Sequence, residues 1–277
     1  MTQDQYFASS EADETERSRL EILEKASDPR TIRRLEMLGV AEGWKCLEIG
    51  AGGGSIARWL AERVGPTGTV VATDINTRFL RELNLPNLEI RQHDIVNDHL
   101  EVEAYHLVHA RTVLQHVAEP EKALNQMARA VRPGGWLFIE DPDFAPQLTA
   151  DLTDPSAAPL VALLRTLADI MRKKGVADAY FGRRERSLME QLRFINVDYE
   201  GWSHVNRGGG PHALLALMTF QSVAKPLIAA GVITQEQMDS VERLCRDPSF
   251  YWPGNTMFSA WGQKISGFGW DRVLQRV

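Results

Sequence analysis

Cys46-Leu47-Glu48-Ile49-Gly50-Ala51-Gly52-Gly53-Gly54-Ser55 decides the fold, because an apolar run carrying one acid collapses at once into four glycines. That order predicts a strand feeding a tight nucleotide-binding turn. Glycine takes positive φ without a Cβ penalty and lets main-chain N–H groups come close to a ligand. Ser55-Ile56-Ala57-Arg58-Trp59-Leu60 then opens a helix with an apolar stripe. The loop is therefore expected to cradle an adenosyl ligand. A dinucleotide fingerprint wants a G-x-G-x-x-G frame. Here the glycines fall at Gly50, Gly52 and Gly54, with Ser55 where the third would stand, which turns the reading away from NAD. A plain connecting turn could carry the same glycines, so the stretch needs support from elsewhere.

That support lies downstream. Gly68-Thr69-Val70-Val71-Ala72-Thr73-Asp74 reads as a β-branched strand ending in a carboxylate. An acid roughly 20 residues past a glycine loop hydrogen-bonds ribose hydroxyls in dinucleotide folds. Asp74 is the expected sugar ligand, with Ile75 beside it. Leu88-Glu89-Ile90-Arg91-Gln92-His93-Asp94-Ile95 reads as a third strand whose end pairs an acid with an apolar residue. Asp94 suits an exocyclic amine and Ile95 a purine face, while a solvated loop acid is the other reading of Asp94.

Taken together, the chain resembles a class I S-adenosylmethionine-dependent methyltransferase, in the style of the small-molecule enzymes related to the ubiquinone and menaquinone methyltransferases. The resemblance rests on the E-x-G-x-G-x-G loop (Glu48, Gly50, Gly52, Gly54), on Asp74, on Asp94-Ile95, on the fourth-strand segment His109 to His116, and on Arg132-Pro133-Gly134-Gly135 leading into Trp136 to Glu140. It covers roughly the first half of the chain. It implies S-adenosyl-L-methionine as cofactor and S-adenosyl-L-homocysteine as product. It also implies that the loop residues Glu48, Gly50, Ala51, Gly52, Gly54 and Ser55 hold the aminocarboxypropyl chain, Asp74 the ribose, Asp94 and Ile95 the adenine, and the backbone around Arg111 the methionyl amine. The family's acidic tripeptide after the fourth strand is missing, and His109 and Arg111 stand there instead.

Composition agrees with an α/β enzyme. The 277 residues are 44% hydrophobic and carry a net charge of −6, with a pI near 5.7. That balance disfavours a nucleic-acid partner, since phosphate binding wants clustered lysine and arginine. Two cysteines, Cys46 and Cys245, make neither a disulfide framework nor paired metal-ligand spacing, so no metal is expected and a reducing cytoplasm fits. The acidic residues Glu11, Asp13, Glu14 and Glu16 do not read as a signal peptide. Ala213 to Met218 is apolar, yet Gln221, Lys225 and Pro226 interrupt it short of the ~20 residues needed to cross a bilayer. No membrane span is expected, and oligomeric state stays open, a homodimer among the options.

Strand and helix alternate along the chain. A first helix is expected over Glu11 to Lys25, a second from Asp28-Pro29 to Leu38, and another from Pro120 to Val131. The fold class that follows is α/β: a Rossmann-like, seven-stranded, mostly parallel sheet with helices on both faces and a helical lid. Ligands in such sheets bind beyond the carboxyl ends of the strands at the switch point, where Glu48, Asp74, Asp94 and Arg111 fall. Past Asp141 the pattern predicts helices over Leu160 to Met171 and Leu188 to Phe194, and strands over Ile195 to Trp202 and Thr256 to Lys264. Domain boundaries are expected at 1–40 (N-terminal lid), 41–145 (cofactor core) and 146–277, the last holding the rest of the sheet with a lid insertion near 203–252. A stabilising surface insertion is the other reading of that segment. The tail Ser266 to Val277 reads as a flexible or docking extension.

Methyl transfer from a sulfonium needs alignment and exclusion of water more than it needs a metal. A base of near-neutral pKa would help a hydroxyl or protonated-nitrogen acceptor. His116, just past the fourth strand, is the candidate, and a histidine there would equally cap or pack the loop. Tyr6, Phe7, Phe144, Tyr180 and Trp202 are candidates for an aromatic-lined acceptor pocket, although each also suits plain core. Arg17 could reach an acidic group on the acceptor or pair with Asp13 along its helix. Two functions of different class follow: methylation of a small apolar or aromatic metabolite, or binding of S-adenosylmethionine without transfer, as in a cyclase or a regulator.

Overall fold

The computed structural model describes residues 13–144, 158–173 and 177–265. Among them, seven strands, β1 (Lys45–Ile49), β2 (Thr69–Asp74), β3 (Leu88–Gln92), β4 (Tyr105–Arg111), β5 (Val131–Asp143), β6 (Ile195–Arg207) and β7 (Tyr251–Gln263), form one sheet in the order β3-β2-β1-β4-β5-β7-β6. β1 pairs parallel with β2 and β4, β2 with β3, and β4 with β5. Asn196 Nδ2 donates to Gln263 Oε1 at 3.1 Å. Further along β6 and further back along β7, the Ser203 and Thr256 hydroxyls meet at 2.6 Å, so these two strands run antiparallel. The expected Rossmann-like, mostly parallel sheet is the sheet observed, and strand order reverses between β1 and β4.

Period-2 alternation sorts the central strands onto two apolar faces. Leu47, Ile49, Val71 and Val108 pack with Leu124, Met127 and Ala128 of α3 (Pro120–Ala130) on one side. Cys46, Val70, Leu107 and Phe138 pack with Ile56, Leu60 and Val64 of α2 (Ser55–Val64) and with Leu35 of α1 (Asp13–Met37) on the other. Burial pushes the Cys46 thiol far up, which leaves it inert core.

The described residues divide into two compact units. One draws on residues 27–142, 180–201 and 257–265, and holds the parallel sheet core. The other draws on residues 13–26, 143–144, 158–173, 177–179 and 202–256, and is built chiefly from α4 (Ala158–Lys173), α6 (Pro211–Ala229) and α7 (Gln235–Arg246). Leu160, Leu163, Leu217, Phe220, Val241 and Trp252 share its apolar cluster. A capping box starts α7: Thr234 Oγ1 accepts the Gln237 N–H at 3.1 Å and Gln237 Oε1 accepts the Thr234 N–H at 2.8 Å. This division groups α4 with α6 and α7.

Several elements depart from the sequence expectation. The two N-terminal helices are one, α1, with Pro29 inside it. Proline removes a single helical hydrogen bond, and Asp28 and Thr31 on either side are tied to the strand ends, which carries the helix through. β3 stops at Gln92, leaving Asp94 and Ile95 in the following loop, and β4 stops at Arg111. β5, β6 and β7 are longer than expected, and the helix expected over Leu188 to Phe194 is α5 (Glu185–Gln191). At 19 residues with mean hydropathy 1.2, α6 is long and apolar enough by composition to cross a membrane, against expectation. Its Ala213, Leu217, Phe220, Val223 and Leu227 are instead buried in the cluster described above.

Lys264 is 1% exposed and its ammonium donates to the carbonyls of Ala128 (3.1 Å), Arg129 (3.4 Å) and Val131 (2.8 Å). A cation here satisfies the carbonyls at the C-terminus of α3 and complements its dipole. We expect Lys264→Met to cost about 2–3 kcal/mol in urea unfolding, because buried carbonyls lose a charged donor. A cost within experimental error of zero would show that the cap is not stabilising.

Candidate cofactor site

Gly50, Gly52 and Gly54 have φ of 64°, 57° and 87°, the left-handed region that favours glycine. Two of them are also enforced by packing. A Cβ on Gly50 would lie 2.4 Å from Val113 Cγ2, and one on Gly54 would lie 2.5 Å from Leu83 Cδ1. At Gly52 the backbone faces the expected acid: its N–H donates to Asp74 Oδ2 at 2.9 Å, while Asn76 N–H donates to Asp74 Oδ1 at 2.9 Å. Asp74 therefore holds the glycine loop in place from the end of β2, and Ile75 follows it in the loop. No side chain caps the start of α2 at Gly54, while Ser55 Oγ donates to Asp28 Oδ1 at 3.1 Å.

Asp94 sits in the loop after β3. Its Oδ1 accepts the Val96 N–H at 2.9 Å and its Oδ2 the Asn97 amide at 2.8 Å. Partial burial opposes the charge, but these donors prevail and hold the carboxyl below its ordinary range. The group stays an anion, suited to accept from an amine. Ile95 is 5% exposed and belongs to the main core, a role its sequence position did not reveal.

Sequence reasoning missed a buried polar chain beneath the loop. His109, fully buried, lies opposite Glu48 in the β1–β4 register, and its Nδ1 meets Glu48 Oε2 at 2.6 Å. Its Nε2 meets Glu140 Oε2 at 3.3 Å. Thr31 Oγ1 donates to the same Glu140 oxygen at 2.6 Å and Ser259 Oγ donates to Oε1 at 2.7 Å. Arg111 Nη1 donates to Thr31 Oγ1 at 2.9 Å and its Nη2 to Asp28 Oδ1 at 2.8 Å. The side chains of Glu48 and Arg111 are thus engaged with protein partners. Burial alone would push the His109 imidazole down, but the two carboxylates outweigh it and raise it to about 9. The same contacts hold Glu140 below the ordinary range against its burial. No run of adjacent sequence signals this chain, since its members come from α1, β1, β4, β5 and β7.

β4 ends in strain. Thr112 has φ of 57°, an uncommon backbone for a β-branched residue. Its N–H donates to Glu140 O at 2.7 Å and its hydroxyl to Arg111 O at 2.7 Å, which fix it there. A 3-10 turn, Leu114–His116, follows. Within it the Gln115 carboxamide nitrogen lies 3.1 Å from His116 Nε2.

The acceptor candidates scatter over the two units. Tyr180 lies in the sheet unit, with Arg183 over its ring at 5.6 Å. Phe144 and Trp202 lie in the helical unit, where the Phe144 N–H donates to Ala179 O at 2.9 Å and Trp202 leans on His204 with ring centroids 5.9 Å apart. Arg17 is exposed on α1. Tyr6, Phe7 and the tail Ser266 to Val277 lie outside the described residues. Among the described residues, no group of three or more His, Cys, Asp and Glu could hold a metal ion.

The buried imidazolium makes a pH prediction. An unfolded chain releases that proton near 6.5 and the folded chain near 9. Its stabilisation is therefore complete below about 6.5 and is lost as pH rises through about 9. Unfolding free energies measured from pH 6 to 10 should fall across this window. His109→Gln should remove that slope and cost about 3–5 kcal/mol at pH 7, because two carboxylates would remain buried without their cation. A variant as stable as the parent would overturn the assignment.

Comparison with known proteins gives the same fold. A family model for the methyltransferase domain matches residues 12–206. The chain is 28% identical over 187 residues to methyltransferase str2 of Strobilurus tenacellus, covering 67% of this chain and 66% of that protein. It is 34% identical over 113 residues to the ubiquinone/menaquinone biosynthesis C-methyltransferase of Pseudomonas savastanoi, covering 38% and 44%. The chain spans about half the length of most curated relatives it matches, 44% to 66% of each. Phosphoethanolamine N-methyltransferase 2 of Haemonchus contortus, solved with S-adenosyl-L-methionine, superposes with a TM-score of 0.53 at 15% identity, over 86% of this chain and 53% of that one. With a family match over the larger part of its length and a glycine loop at the sheet's switch point, the chain belongs to the class I S-adenosylmethionine-dependent methyltransferases.

Proposed function

We propose that the chain transfers a methyl group in line from S-adenosyl-L-methionine to a small, apolar or aromatic metabolite. The observation that carries the reading is the left-handed Gly52, whose N–H is bonded to the Asp74 carboxylate where strand order reverses. The residues present fit the cofactor. The uncapped start of α2 suits a carboxylate. Asp74 presents at the end of β2 the carboxylate acceptor that ribose hydroxyls call for, and Asp94 is the anion proposed for the adenine amine. The bound sulfonium supplies an already activated methyl, so the protein's share of the work is to align the acceptor and exclude water. His116 is the proposed proton acceptor when the attacking atom carries a proton.

The acceptor class follows from relatives named as quinone methyltransferases and from the aromatic candidates Phe144, Tyr180 and Trp202.

Calorimetry with S-adenosylmethionine tests the cofactor site. Gly52→Val should lose measurable binding with its circular dichroism intact, because a β-branched residue resists a φ of 57°. Asp74→Ala should lose roughly 10–100-fold in affinity. Asp74→Ala should cost a cofactor analogue without the ribose hydroxyls less affinity than it costs the cofactor itself, and an equal loss for both would refute the sugar contact. Transfer itself is read by mass spectrometry over a panel of phenolic and quinone acceptors. S-adenosylhomocysteine together with a product one methylene heavier supports the reading; a changed product with the cofactor unconsumed points to a cyclase-like role.

A further inference from the structure

Asp141 at the end of β5 and Glu185 at the start of α5 are both fully buried, within the sheet unit. Asp141 Oδ1 accepts the Gln115 N–H at 3.2 Å. Counted as carboxylates, the pair leaves Asp141 Oδ2 and both Glu185 oxygens facing no donor. Two anions so placed, with Glu140 nearby, would carry uncompensated charge in the core, a cost of several kcal/mol. One proton resolves this, because a protonated Glu185 becomes a donor to Asp141. The surroundings are tight: a Cβ on Gly182 would lie 2.2 Å from the Asp141 carbonyl oxygen, so the 3-10 turn leading into α5 is pressed onto β5.

We propose that Asp141 and Glu185 share one proton, and that the resulting pair is a positioning device for the strained turn Thr112–His116. The argument rests on the methyltransfer reading for what the turn is for, though not for the proton sharing. Thr112 is held at positive φ from one side by Glu140 O. Gln115 is held from the other by Asp141, and its carboxamide faces His116 Nε2. The acid pair therefore sets where the proposed base stands without touching substrate. The charged groups acting on it are Glu140 on its own strand, which His109 of β4 neutralises, and its partner Glu185 on α5; the turn after β4 turns the main-chain N–H groups of Leu114 and Gln115 toward Asp141, and the Asp141 main chain turns its own toward Glu185. Burial pushes Asp141 up to about 8 and Glu185 well above the carboxyl range, consistent with a proton retained at neutral pH.

The full-length protein without acceptor tests this in two parts. Infrared spectra at pH 7 should contain a protonated-carboxyl band that Glu185→Gln removes; a parent spectrum without that band overturns proton sharing. Histidine ring signals in nuclear magnetic resonance should show His116 shifting with pH above neutrality as the pair loses its proton, an inflection absent in Glu185→Gln. Glu185→Gln keeps a donor to Asp141 and should fold with unchanged S-adenosylmethionine affinity, whereas Glu185→Leu should displace the His116 signals even at pH 6. His116 signals indifferent to all three conditions would overturn the positioning role. If the parent binds no S-adenosylmethionine, the methyltransfer reading fails while the infrared result still decides the proton.

Discussion

A single imidazolium beneath the glycine loop holds together strands that the cofactor chemistry needs side by side. His109 bridges Glu48 on β1 and Glu140 on β5 in a region closed to water. Ion pairs at such depth do not stabilise a fold merely by existing, because desolvating three charged groups costs about as much as their attraction returns. What they confer is intolerance of partial removal: once two carboxylates are buried, the cation between them cannot leave. The central strands are thereby locked in the register that sets Glu48 opposite His109 and Arg111 opposite Glu140.

The lock extends outward to the places where function is expected. From Glu140 it passes through Thr31 and Arg111 to Asp28, and from Asp28 to Ser55 at the start of α2. On the other side Val113 fills the space that a side chain on Gly50 would need, so the loop after β1 and the turn after β4 are shaped against each other. Rigid supports of this kind suit a reaction in which alignment does most of the catalytic work. The left-handed Thr112 shows that the turn is held away from its relaxed backbone, and such strain persists only where the surroundings over-determine it.

Much of the site was legible in the residues because its signals are local. The glycine loop, the acids Asp74 and Asp94, and the proline at the start of α3 each announce themselves within a few positions. Other features were misread for equally physical reasons. Pro29 looks like a helix start, yet α1 runs through it because its neighbours are tied to distant strands. Ile95, expected beside a purine face, also belongs to the main core.

The amino-acid order by itself determined the alternation of strands and helices, the loop geometry that only glycine permits, and the acids at the strand ends, since each follows from periodicity or backbone sterics over short distances. Only the tertiary structure decided which charges are buried together: Glu48 with His109 and Glu140, Asp28 with Arg111, Asp141 with Glu185, and Lys264 with the end of α3. These partners lie on separate elements, and whether a titratable group carries a proton depends on the solvent and charges that packing sets around it, which no local pattern encodes.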